Sequence, residues 1–169
     1  MNAAAYLLAT GQAGATALEC GAERLNYGEL RAAVGRAAGA WRVRGLEQGE
    51  RVLVFAPDSI AWIIAYLGTI WAGGVAVGLN SRLFERELTV VLSESGARFI
   101  WCNKSSRVLL ERLLANIADP PQLVIEAGIA ALPKLKRPRL VKWVSEPPLT
   151  ATGKLQRGKL KQQYLGGAA

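Results

Sequence analysis

Short apolar runs alternate with helical segments in the first two thirds of the chain. The runs at residues 51–55, 75–78 and 98–101 are apolar on both faces, as in strands of a parallel sheet that helices cover on both sides. Between them, residues 60–72 and 84–94 have the spacing and length of helices. This alternation predicts an α/β fold for the N-terminal part, with a mostly parallel sheet and flanking helices.

Helix-capping residues set the limits of several predicted elements. Asn26 is followed three residues later by Glu29, an arrangement typical of a capping box at a helix start, and Gly45 ends that helix. A small hairpin is predicted before it, over residues 17–25. Ser105 or Ser106 is predicted to cap the last helix of this part, which reaches residue 115.

The twenty residues from 60 to 79 carry no charge, which is the length of a membrane-spanning helix. Gly73 and Gly74 divide the stretch into a helix and a short strand, and neither piece is long enough to cross a bilayer. We therefore predict no membrane span, with a transmembrane helix over this stretch as the alternative.

The character of the chain changes after residue 115, where Asp119, Pro120 and Pro121 interrupt the helical pattern. We predict an N-terminal α/β part over residues 1–115, a junction over 116–130 and a small C-terminal α+β fragment over 131–169. Strands are predicted within the last two, at 122–126 and 140–144.

Composition removes several kinds of chemistry. The chain has no histidine and only two cysteines, Cys20 and Cys102, so histidine-based catalysis, histidine-ligated metals and a disulfide framework are excluded. Both thiols are expected to be buried and inert. The net charge is +8, and most of the excess lies after residue 115. This basic end predicts an anionic partner: nucleic acid, an acidic membrane surface or a phosphorylated small molecule.

A motif between residues 133 and 157 carries the most specific information. It contains K-x-P, then a short strand, E-x-P and T-x-x-G-K-x-x-R, matched at Lys136, Pro138, Glu146, Pro148, Thr150, Gly153, Lys154 and Arg157. It closely resembles the C-terminal signature of the AMP-forming acyl-CoA synthetases of the adenylate-forming superfamily. Residues 26–30, 49–58 and 68–82 resemble the N-terminal part of the same family, nearest to benzoate and related aryl-CoA ligases.

The resemblance implies roles for five of these residues. Lys154 would be the catalytic lysine, which contacts carboxylate and phosphate oxygens as the acyl-adenylate forms. Lys136, Thr150, Gly153 and Arg157 would bind the cofactor. The implied cofactors are ATP, Mg²⁺ and CoA, and no residue of this chain is assigned as a metal ligand. A flexible ammonium group suits such a role, because charge spreads over the phosphoryl oxygens in the transition state.

The middle of the family's pattern has no counterpart in this sequence. The phosphate loop S-G-T-T-G-x-P-K, the Y-x-x-T-E segment and the T-G-D segment are all missing. This predicts an internal truncation that joins the two ends between Asn116 and Ala131, with weak or no activity. It also predicts exposed apolar faces, and hence self-association or pairing with a full-length synthetase.

Three functions are compatible with these observations. The preferred one is an AMP-forming acid:CoA ligase by descent, with an aromatic or fatty acid as substrate, no nucleic-acid partner and a cytoplasmic location. The alternative is a non-catalytic interaction module that pairs with a full-length synthetase. A nucleic-acid or anionic-surface binder driven by the basic end is the third, and would show strongly salt-dependent affinity.

Overall fold

The structure, a computed structural model, describes residues 2–126. Helices and strands follow one another in the order α1 (Ala3–Ala9), β1 (Thr16–Cys20), β2 (Glu23–Asn26), α2 (Tyr27–Val43), β3 (Arg51–Phe55), α3 (Ile60–Ala72), β4 (Val75–Leu79), α4 (Glu85–Glu94), β5 (Phe99–Cys102), α5 (Arg107–Leu114) and β6 (Gln122–Ile125). The predicted C-terminal α+β fragment, residues 131–169, lies outside the described residues.

Four parallel strands form one sheet in the order β4, β3, β5, β6. The first of them along the chain, β3, lies inside the sheet and pairs with β4 on one side and β5 on the other. β6 pairs with β5 at the far edge, so the sheet continues beyond the predicted limit of the N-terminal part at residue 115. A separate antiparallel hairpin is formed by β1 and β2. The predicted α/β class, with a parallel sheet and flanking helices, is confirmed.

Alternate residues of the buried strands supply two separate cores. On one face, Val52 and Val54 pack in a cluster with Trp41 of α2 and Ala65 of α3. On the other face, Leu53 and Phe55 pack with the buried leucines of α4 and α5: Leu88, Leu92, Leu110 and Leu114. Both faces of the sheet are thus covered by helices, which explains why its strands read as uniformly apolar.

The capping box predicted at the start of α2 is confirmed, and α3 has a capping residue at each end. The Asn26 side chain accepts a hydrogen bond from the Glu29 backbone amide at 2.8 Å, and the Glu29 carboxylate accepts one from the Asn26 amide at 2.9 Å. Ser59 caps α3, and Gly73 ends it with φ of 102°, a conformation that glycine adopts without strain. No helix within residues 2–126 is long and apolar enough to cross a membrane.

The first helix, α1, was not predicted from the sequence. Asn2 caps it by accepting hydrogen bonds from the Ala4 and Ala5 amides. The same side chain donates to the carbonyl oxygen of Ile70 in α3 at 2.7 Å. Seven residues make a marginal helix by themselves, so α1 depends on this tertiary anchor, which local sequence patterns do not show.

Candidate functional site

The carboxyl ends of β3 and β5 are where a fold of this type places a ligand. These neighbouring strands lead into helices on opposite faces of the sheet, α3 after β3 and α5 after β5. A crevice forms where two such connections diverge, and open α/β sheets bind ligands there. The loops concerned are residues 56–59 and 103–106.

The loop after β3 presents an acidic side chain and no basic one. Pro57 and Asp58 are exposed. Ser59 uses its hydroxyl to accept a hydrogen bond from the Trp62 amide at 3.1 Å, so one of the free amides at the start of α3 is already satisfied. None of the four residues of this loop is a glycine, and one of them is a proline. The loop therefore lacks the backbone freedom of a phosphate-binding loop.

The loop after β5 is organised by Asn103, which sequence reasoning missed. Its side-chain oxygen accepts a hydrogen bond from the Ser106 amide at 3.1 Å, and residues Lys104–Ser106 form a short 3₁₀ turn. Ser106 directly precedes α5, but its side chain makes no capping hydrogen bond. Ser106 is thus the N-cap residue of α5 by position, as predicted, but the side-chain hydrogen bond expected of a cap is supplied by Asn103, three residues earlier. An asparagine before a Lys-Ser-Ser run is itself an N-cap signal.

The two cysteines have different environments. Cys102, at the end of β5, is buried, and burial raises the pKa of its thiol to about 11, with the nearby Glu111 carboxylate adding to the rise. It is therefore protonated at neutral pH and unsuited to act as a nucleophile. Cys20, at the end of β1, is exposed, so the expectation that both thiols are buried is wrong for this residue.

A polar depression of about 640 Å³ lies at the amino ends of the parallel strands, opposite the loops just described. It is formed by the residues that precede β3, β5 and β6, including Glu50, Arg98 and Asp119. Arg51, in its wall, donates hydrogen bonds to the carbonyl oxygens of Ser95 and Gly96 at 2.6 and 3.1 Å. Because this guanidinium ties β3 to the turn before β5, its role here is structural.

The residues to which the family resemblance gives roles in catalysis and cofactor binding lie outside the described residues. These are Lys136, Thr150, Gly153, Lys154 and Arg157. Within residues 2–126, no three acidic or cysteine side chains come together in a group able to hold a metal ion.

Comparisons with known proteins give the chain its context. A family model described as "AMP-binding enzyme" matches residues 8–163. The chain is 38% identical over 132 residues to a 3-hydroxybenzoate–CoA ligase from Aromatoleum sp. (strain CIB), covering 76% of this chain and 25% of that protein. It is 35% identical over 139 residues to a 3-hydroxybenzoate–CoA/4-hydroxybenzoate–CoA ligase from Thauera aromatica, covering 80% of this chain and 27% of the relative.

A solved structure shows the same fold. A benzoate CoA ligase from Burkholderia xenovorans LB400 matches with a TM-score of 0.69 and 30% identity, over 78% of this chain and 28% of that one. The chain thus spans about a quarter of the length of the curated relatives that it matches.

Proposed function

Because this chain belongs to the AMP-binding enzyme family, we propose that it is an internally truncated form of an AMP-forming acid–CoA ligase. Its relatives are acid–CoA ligases, and their family uses ATP, Mg²⁺ and CoA. The proposed ancestral reaction joins a carboxylic acid to AMP and then transfers the acyl group to CoA. The proposed compartment is the cytoplasm.

One observation carries this proposal. The family model reaches from residue 8 to residue 163, and so includes both the sheet and the segment that contains Lys154. The chain nevertheless corresponds to only about a quarter of its relatives' length. Loss of the central part of the family's sequence, which contains the phosphate loop, is the simplest way to keep both ends of the family's pattern in so short a polypeptide.

Lys154 is the residue that we expect to contact the reacting groups. By resemblance to the family, its ammonium group would neutralise carboxylate and phosphate oxygens as the acyl-adenylate forms. Gly153 lets the backbone approach closely, while Thr150, Lys136 and Arg157 supply further donors to the nucleotide. Each of these residues contributes positive charge or hydrogen-bond donors, as expected for binding a polyanion.

Activity in the isolated chain is proposed to be weak or absent. Removing a single preorganised donor from an active site costs about 2.7–4 kcal/mol of transition-state stabilisation. Here a whole phosphate loop is missing from the sequence, and the loop after β3, Ala56–Ser59, does not replace it. One lysine cannot compensate for the loss of several oriented donors.

ATP–pyrophosphate exchange tests this proposal. The full chain is assayed at high concentration with benzoate, 3-hydroxybenzoate and a long-chain fatty acid, beside a full-length 3-hydroxybenzoate–CoA ligase. We expect exchange at least a thousandfold below that of the full-length enzyme. Exchange at a comparable rate would overturn the proposed loss of activity.

A pair of variants then separates residual chemistry from contamination. Lys154→Ala should abolish any exchange that the chain retains, whereas Lys161→Ala, a lysine of the same segment outside the motif, should leave it unchanged. Exchange that is greatest with the aromatic acids would support an aryl-CoA ligase ancestor. Exchange greatest with the fatty acid would support an acyl-CoA synthetase ancestor instead.

An interaction module is the second candidate, and helix α3 favours it. All thirteen of its residues are uncharged, yet only Ile60, Ala65, Gly68 and Thr69 are fully buried within the described part of the chain. Apolar residues of the same helix, among them Trp62 and Ile63, are only half-buried, and the proposed module would use them to contact a full-length synthetase. Co-purification with the full-length 3-hydroxybenzoate–CoA ligase tests the idea, and failure to co-purify at micromolar concentrations would rule it out.

A further inference from the structure

We propose that the outer edge of β4 binds the same edge of a second copy of this chain. The two β4 strands pair antiparallel about a two-fold axis that passes between the two Val77 residues. The four-stranded sheets of the two copies then form one continuous sheet. This interface does not depend on the proposed ligase function, and its test uses no activity measurement.

Strand β4 is an edge strand without the usual protection against pairing. It ends the sheet order, and within residues 2–126 no strand pairs with its outer side. Its sequence, Val-Ala-Val-Gly-Leu, contains no proline and no charged residue. Natural edge strands commonly carry a lysine, a proline or a bulge that blocks further pairing, and an edge that lacks them is a template for another strand.

Hydrogen bonding to β3 determines which residues of β4 face outward. The Val75 amide donates to the Glu50 carbonyl oxygen at 2.9 Å, and the parallel register continues regularly to Leu79. The amide and carbonyl groups of Val75, Val77 and Leu79 therefore point toward β3. Those of Ala76 and Gly78 point away from the sheet, toward the open edge.

This spacing suits a two-fold pairing of the strand with itself. When the axis passes between the two Val77 residues, Ala76 of each copy lies opposite Gly78 of the other. Both are outward-facing, so each pair exchanges two backbone hydrogen bonds, and two such pairs form. Val77 then meets its own counterpart in the intervening position without hydrogen bonds, where side chains come closest. A C2 interface of this kind is isologous, as in most homodimers.

Side chains beside the edge favour its burial. Val75 is 47% exposed although it is a large apolar residue. On the opposite face of β4, Trp62 and Tyr66 of α3 stack with ring centroids 5.0 Å apart and are half-buried. Trp62 lies so close to the strand that a Cβ at Gly78 would be 2.7 Å from its ring. A second copy would remove this apolar border from water.

Charges at the two ends of β4 favour the antiparallel arrangement. Glu47 and Glu50 lie near the amino end, because the Gly49 amide donates to the Gly73 carbonyl oxygen at 2.9 Å. The exposed Arg82 follows the carboxyl end. Antiparallel pairing brings Arg82 of one copy to the acidic end of the other, whereas parallel pairing would bring like charges together.

Light scattering coupled to size-exclusion chromatography tests the interface on the full chain. We expect twice the monomer mass of 18.1 kDa. Val75→Lys places a charge on the edge, and Ala76→Pro removes an outward amide without removing a bond to β3; both should give the monomer mass. The control Val108→Lys, at an exposed position of α5, should leave the dimer intact. Far-UV circular dichroism shows whether each variant remains folded.

Disulfide trapping tests the register of the pairing. In a Cys20→Ser background, Val77→Cys should form a disulfide-linked dimer on mild oxidation, because the two residues are directly opposed. Ala76→Cys should not, since its counterpart lies two positions away along the strand, beyond the Cα separation of about 7 Å that a disulfide can bridge.

Four outcomes would overturn the proposal. The first is a monomer at all concentrations, which would mean that another part of this chain covers the edge or that the edge stays open. The second is a dimer that persists in both folded edge variants. The third is cross-linking at residue 76 in place of residue 77. Pairing only with a full-length synthetase would likewise count against self-association.

Discussion

Gly68 of α3 faces the methyl group of Ala37 of α2 with no space between them for a side chain. A Cβ at residue 68 would lie 2.5 Å from the Ala37 Cβ and 3.3 Å from the Ala38 amide nitrogen. Both neighbours belong to a helix and cannot move independently. The close approach of these two helices therefore depends on a glycine at this position.

Gly68→Ala is expected to lower the free energy of unfolding by about 1–3 kcal/mol, as overpacked cores do. Alanine favours helix by about 1 kcal/mol over glycine, so a net loss would identify the steric clash as the dominant effect. Urea denaturation gives the measurement. Gly14→Ala is the control, because nothing lies within 4 Å of a Cβ at that position. A Gly68→Ala variant as stable as the control would contradict the close packing.

Replacing Asn103 should weaken the start of α5. Its side chain accepts the Ser106 amide hydrogen bond, so Asn103→Ala is expected to cost about 1 kcal/mol, whereas Asn103→Asp should restore most of the stability. Ser106→Ala is the matched control, since Ser106 makes no side-chain capping bond. Chemical denaturation gives the free energy of unfolding of each of the three variants for comparison with the unmodified protein. A larger loss of stability in Ser106→Ala than in Asn103→Ala would show that the Ser106 side chain stabilises the start of α5 more than the Asn103 side chain does.

The two thiols should differ sharply in reactivity. Cys20 is exposed and Cys102 is buried, so we expect one thiol per chain to react rapidly with a disulfide reagent at neutral pH and the second only after unfolding. Cys20→Ser should abolish the fast reaction, and Cys102→Ser should preserve it. Rapid modification of both thiols in the native protein would show that β5 is accessible.

Stability should fall in alkali because of Cys102. Its pKa is raised from 9.0 to about 11 in the folded protein, so between these pH values the unfolded chain loses this proton before the folded chain does. The free energy of unfolding therefore declines as pH rises through this range. Cys102→Ala, which has no thiol, should show a shallower decline in urea titrations from pH 8 to 11. Parallel curves for the two proteins would exclude this contribution.

Arg51 should stabilise the turn before β5 through its two-donor geometry. It donates to the carbonyl oxygens of Ser95 and Gly96, and Arg51→Ala is expected to cost about 0.5–1.5 kcal/mol. Arg51→Lys should recover little of this, since an ammonium group lacks the guanidinium fork. Arg86→Ala, at an exposed position of α4, controls for loss of charge. Full stability in Arg51→Lys would indicate that charge alone matters.

The sheet could be predicted from the sequence because local signals agree with the tertiary structure there. The capping box at Asn26, the glycines Gly45 and Gly73 that follow two helices, and the apolar runs between them define element limits that the structure reproduces. Helix α1 could not be predicted, because its stability comes from Asn2 contacting Ile70 far along the chain. The exposure of Cys20 likewise depends on how the β1–β2 hairpin packs, which its own residues do not specify.

The candidate site could be assigned only by resemblance. A lysine that follows a glycine in the sequence, such as Lys154, has no feature of its own that separates it from a solvated surface lysine. The catalytic role predicted for Lys154 depends on the match at Lys136, Thr150 and the other motif positions. Those residues lie outside the part of the chain that the structure describes, and the exchange assay tests their predicted roles.

The order of strands in the sheet has a consequence for biosynthesis. Strand β3 emerges from the ribosome early, but its neighbour β5 is made only after α3, β4 and α4. During that interval one side of an apolar strand has no partner, and the nascent chain is open to incorrect association. Chaperones that shield extended apolar segments would therefore be expected to raise the yield of folded protein most when they act before residue 102 has been translated.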